Sequence, residues 1–132
     1  MATTVPEATV TVAEAAEAFA RAILDSVEWR RWSSARERWD TDATLRQAQQ
    51  RLTELSHKFQ SARANGKGLF GPDLAELKRL QSEVQSSPMT RERDEAGAAL
   101  VQFLQDTNRL LSDTLGVDFA ANAAPRKSGC CG

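Results

Sequence analysis

Residues 42–62 read DATLRQAQQRLTELSHKFQSA. Leu45, Ala48, Leu52, Leu55, Phe59 and Ala62 alternate at steps of three and four. That is a heptad-like apolar seam on one helix, with Asp42 placed to cap its start. The spacing predicts a helix of about 24 residues, about 36 Å long at 1.5 Å per residue. A compact domain of this chain length has a radius of gyration of about 14 Å, so such a helix spans the whole molecule. A narrow stripe on a long rod asks for partner helices. The fold expected is all-α: an elongated antiparallel bundle of about four to five helices, assembled into a dimer or higher oligomer.

The same period runs in both directions from this seam. Upstream, Thr11-Val12-Ala13-Glu14 has the capping-box pattern, which predicts a helix from about Ala13. Ala16, Phe19, Ala20, Ile23 and Val27 share one face of it. Trp29, Trp32 and Trp39 continue the stripe, and a break near Ser26 to Glu28 is allowed but not forced. Downstream, Asn65 to Gly71 form a loop, and Pro72 suits the first position of the next helix. Ser87-Pro88 repeats that device ahead of a last helix that Gly116 stops. Gly97 lies inside it, at a cost of about 1 kcal/mol relative to alanine; the expected compensation is close approach of a neighbouring helix. Strand signals are nearly absent: tyrosine is missing and β-branched residues are scattered. Residues 1–10 are expected to be a flexible N-terminus, 11–117 the helical domain, and 118–132 a flexible tail rich in glycine and cysteine.

Composition narrows the function. Charged residues make up 27%, hydrophobic residues 41%, and the formal net charge is -1. A strongly basic nucleic-acid binder does not balance this way, so no direct nucleic-acid partner is expected. No apolar run approaches the roughly 18 residues of a membrane span. The first residues have neither a basic nor an apolar signal region, and a cytoplasmic location is the expectation. Arg30, Arg31, Arg36, Arg38, Arg46 and Arg51 interleave with Asp25, Glu28, Glu37, Asp40 and Asp42. This reads as a solvated face with helix-internal ion pairs. Gly66-Lys67-Gly68 lacks the spacing of a phosphate loop. His57 has no nucleophile beside it in any recognisable arrangement, and no carboxylate pair stands out. The chain is therefore not expected to be an enzyme.

Two groups remain as candidate sites. Trp29, Trp32 and Trp39, with Leu52, Leu55 and Phe59, are candidates for an interface; core packing or a homodimer contact is the favoured role of the tryptophans, ahead of a partner-binding anchor. Cys130 and Cys131 are the only cysteines. Adjacent Cα atoms are about 3.8 Å apart, too close for an unstrained disulfide. As metal ligands they supply two thiolates where zinc or an iron–sulfur cluster usually takes four. Two tails meeting in a dimer, or partner subunits, would supply the rest. The pair does not fit a C-a-a-X prenylation signal.

One layout gathers these pieces. A first helix carries Ala16-x-x-Phe19-Ala20-x-Ala22-Ile23-Leu24, followed by Ser26-Val27-Glu28-Trp29-Arg30-Arg31-Trp32. A Leu-rich helix with Leu52-Thr53-Glu54-Leu55 comes next, then the Gly66 to Gly71 hinge and Ser87-Pro88. The last helix closes with Thr114-Leu115-Gly116-Val117-Asp118-Phe119, and the tail ends in glycine and cysteine. This resembles the YlbF/YmcA family of bacterial regulators over roughly residues 13 to 132. The resemblance implies a small all-helical protein without enzymatic activity of its own. It implies membership of a multi-protein complex with family paralogues that adjusts the specificity of the endoribonuclease RNase Y, and so affects competence, sporulation and biofilm formation. It also implies a link to iron–sulfur clusters, for which Cys130 and Cys131 are the matching positions here.

Overall fold

The computed structural model describes residues 9–68 and 71–125. Its elements are six helices: α1 (Val12–Leu24), α2 (Val27–Thr41), α3 (Ala43–Ala64), α4 (Pro72–Ser86), α5 (Pro88–Leu115) and α6 (Phe119–Ala123). No strand occurs among the described residues.

Local chemistry sets most of the boundaries. The Thr11 hydroxyl accepts from the Glu14 amide while the Glu14 carboxylate accepts from the Thr11 amide, both at 3.2 Å. This reciprocal box starts α1. The allowed break after it is real. Ser26 donates its hydroxyl to the Ile23 carbonyl at 2.6 Å and accepts from the Trp29 amide at 3.2 Å. One side chain thus closes α1 and opens α2. Asp42 serves both neighbours too: it is the last residue of α2's cap and, through its Oδ1, accepts from the Leu45 amide at 2.8 Å to begin α3. Pro72 and Pro88 each take the first turn of their helix, where a missing N–H costs nothing. Gly116 ends α5 in the left-handed region with φ 73°, which a glycine enters without steric cost.

Helices α2 and α3 run end to end as one rod bent at Asp42. Helices α4 and α5 form a second rod bent at Ser87. The chain reverses between α3 and α4, so the rods are antiparallel: α3 lies on α4, and α2 lies on α5. Asp42 and Ser87 line the same apolar cavity of about 290 Å³ with Leu45, Ala48, Val84 and Met89. The two bends therefore sit side by side. Below them α3 and α4 enclose Leu45, Ala48, Leu55, Leu80 and Val84, with Trp39, Leu52 and Leu77 packed against that cluster. Above them Ala35, Thr90, Ala96 and Leu100 are buried where α2 meets α5.

Two findings depart from the sequence reading. Residues 118–125 do not form the expected loose tail. Asp118 caps α6 through the Ala121 amide at 3.1 Å, and α6 is tied back to α5 by Phe119 N–H donating to Ser112 Oγ at 2.9 Å and Ala120 N–H donating to Asn108 Oδ1 at 3.2 Å. Helix α1, in turn, is a full helix with no buried residue. It touches α2 and no other helix.

Candidate interaction surface

Two of the three tryptophans, Trp32 and Trp39, reach across the α2–α5 contact. Trp29 and Trp32 sit one turn apart on α2, with ring centroids 5.3 Å apart and planes tilted by 59°. The Arg36 guanidinium lies 5.3 Å from the Trp32 ring centre. Trp32 reaches across to Gly97 of α5, where an added Cβ would lie 3.6 Å from its ring. Trp39 donates Nε1–H to Thr90 Oγ1 at 2.9 Å, and the Arg93 guanidinium lies over its ring at 4.2 Å from the centre. Each of the three rings is half-buried.

The interface candidates read from the sequence thus divide. Leu55 is 0% exposed at the centre of the α3–α4 core, and Leu52 packs beside it. The assignment of Leu55 to a docking surface is corrected: its seam is satisfied within the chain, because α4 supplies Leu80 and Val84 against it. Trp32 and Trp39 are engaged with α5, Trp29 packs on Trp32, and each ring is half-buried. Phe59, 39% exposed, remains open on α3.

The open apolar surface lies elsewhere. On α1 and the start of α2, Val12, Phe19, Leu24 and Val27 are exposed. On the far half of α5, on α6 and in the turn between them, Val101, Leu104, Leu110, Leu115, Val117 and Phe119 are exposed. The sequence carried a sign of the first patch, since Phe19 and Val27 belong to the α1 stripe. Its extension to Trp29 and Trp32 suggested one continuous buried face, and the turn at Ser26 separates the two.

Ion pairs fix the rods to each other. Arg31 of α2 donates to Glu92 at 2.9 and 3.2 Å and approaches Glu95 at 3.8 Å. Arg51 of α3 holds Glu76 of α4 in a fork at 2.7 and 2.9 Å and also reaches Glu54 at 3.0 Å. Lys58 meets Asp73 at 3.1 Å. The hydrogen bonds from Arg51, then its charge, hold the Glu76 carboxyl below its ordinary range; Arg31 does the same for Glu92. Arg30 and Arg36 pair with Asp25 and Asp40 at 3.6 Å. His57 points from an exposed position on α3.

Cys130 and Cys131 lie outside the described residues. By donor count, one chain brings two thiolates to a cluster that takes four, so a single chain does not fit an iron–sulfur cluster. Among the described residues no group of three or more His, Cys, Asp or Glu is placed to hold a metal ion.

A family model described as control of competence regulator ComK, YlbF/YmcA, matches residues 12–116. The chain belongs to the YlbF/YmcA family. The match begins at the first residue of α1 and ends at the glycine that stops α5, so the exposed α1 is part of the family domain and α6 lies beyond it. No curated protein and no solved structure matches the chain. Among the described residues, no helix of this YlbF/YmcA-family protein is long and apolar enough to cross a membrane.

Proposed function

We propose that this YlbF/YmcA-family protein is a non-enzymatic cytoplasmic adaptor. It acts by holding other proteins, and its role is to adjust RNase Y-dependent mRNA processing in company with family paralogues. The family's description as a competence regulator supports the regulatory part. The observation that carries the adaptor part is where the apolar side chains stand. Phe19 and Leu24 on α1, Leu104, Leu110 and Leu115 on α5, and Phe119 on α6 are exposed. Large apolar side chains left open in such number favour protein–protein contact.

The test uses the full chain tagged in its own host. Capture should recover RNase Y or a family paralogue, and mapping of transcript ends in a deletion strain should show displaced cleavage at a subset of sites. Unchanged transcript ends together with recovery of neither protein would overturn the reading. An iron–sulfur cluster enters it only as a shared one, with four thiolates from two tails. Protein purified anaerobically should then be coloured and lose its colour in a Cys130→Ser/Cys131→Ser variant; a colourless, metal-free preparation removes the cluster and leaves the adaptor reading standing.

A further inference from the structure

Helix α1 poses a physical problem. It has 13 residues and no buried side chain. Isolated helices shorter than about 12–15 residues are marginal in water even with good propensity. Its face carries Val12, Ala16, Phe19 and Ile23 at helical spacing, and among the described residues no helix but α2 packs against it. Something must pack there.

Helix α5 poses the matching problem. Trp39 meets Thr90 and Trp32 meets Gly97, so the antiparallel register brings Ser26 level with about residue 103 at equal rise per residue. There α2 ends, and α5 runs on to Leu115. The stripe that faces α2 runs on too, through Leu104, Thr107, Leu111 and Leu115. Helix α6 is fastened to the flank at Asn108 and Ser112. The stretch beyond the reach of α2, residues 104–115, has nearly the length of α1; Leu104 and Leu115 are exposed on it and Thr107 and Leu111 half-buried. Had the chain continued straight through Ser26, α1 would cover its own α5. The turn at Asp25 and Ser26 instead carries α1 away from it.

The surface area says how large the missing contact is. The chain exposes 10756 Å², whereas a folded monomer of this mass exposes about 6,900 Å². Even if the residues outside the described stretches are counted as fully unfolded chain, about 2,000 Å² of excess remains for the described ones. A stable interface of standard size takes about 800 Å² from each partner. The excess is more than enough for a second copy on each chain.

We propose that α1 is an exchanged arm: it lies on residues 104–115 of α5 in a second copy, and that copy's α1 lies on the first. Each chain then offers one helix with no buried residue and one partly open stripe of matching length, and a two-fold pair covers both at once. This inference does not rest on the regulatory reading, and the mass of the protein decides it alone.

The experiment is native mass by light scattering on the full chain, with two full-length variants, Phe19→Asp and Leu104→Asp. Both positions are exposed, so neither substitution empties the core, and circular dichroism checks that α2 to α5 remain helical. The wild type should have twice the chain mass of 14.5 kDa. Each variant alone should have the mass of one chain. An equimolar mixture of the two should recover a dimer, since the mixed pair keeps one unaltered α1 against one unaltered α5. A monomeric wild type would mean that the chain's own α1 or a different protein covers the stripe, and would overturn the proposal. So would a dimer that neither substitution disturbs, which places the second copy elsewhere, or a mixture that stays monomeric.

Discussion

Gly97 sits in the middle of the longest helix, where glycine is expected only if something needs the space. Trp32 does lie against it, but at 3.6 and 3.7 Å from an added Cβ, which is ordinary van der Waals contact. A methyl group fits. Gly97→Ala should therefore raise stability by about 1 kcal/mol through helix propensity, read as a higher midpoint in urea; a lowered midpoint would mean that Trp32 cannot accept the methyl. Glu76 gives a second prediction at this scale. Arg51 holds its carboxyl below the ordinary value of 4.5. A depressed carboxylate contributes stability that is complete above the unfolded value and is lost as pH falls through the folded one. Unfolding free energy should thus be level from neutral pH down to about 4.5 and fall below it. Glu76→Gln should be less stable than the wild type at neutral pH, with the gap closing in acid. A gap that stays constant with pH would show that the pair's charge contributes nothing.

Single side chains also decide where helices end, and that is why so much of the element order was legible. Thr11 with Glu14, Asp42, Pro72, Pro88 and Gly116 each act within four residues of their own position, so the sequence shows both the residue and the group it satisfies. The strongest of these is Asp42, which ends one helix and caps the next. Asp42→Ala should cost about 1 kcal/mol, measured by denaturant unfolding; an unchanged value would mean that water replaces the carboxylate at the Leu45 amide. Helix α6 was missed although Asp118 is the same kind of cap, because Phe119 to Ala124 show no apolar period. What holds it are Asn108 and Ser112, ten or so residues back on another helix, and no local rule connects them. Leu55 failed as an interface residue for a related reason. A seam read along one helix does not say whether its partner is in the same chain, and α4 turned out to be that partner. The Cys130–Cys131 pair was legible only as a ligand count.

The whole molecule is two short packed regions joined at paired bends, with apolar surface left over at one end. If that surface is covered by a second copy, folding and association are linked, and the apparent melting temperature should rise with chain concentration. Scans over a hundredfold range of concentration test this; a constant melting temperature would describe a monomer. The nesting of the hairpin, α3 on α4 inside α2 on α5, has a further consequence, and it is one of timing. A chain leaving the ribosome delivers α2 early and its partner α5 late. The inner pair closes a short loop and pays little entropy for it, whereas the outer pair must wait until more than sixty residues have been made. Trp32 therefore spends that interval without Gly97 beside it. Pulsed hydrogen exchange should find amides of α3 and α4 protected before those of α2. Helix α1, first to be synthesised, would be the last to find its place, after another chain has been finished beside it.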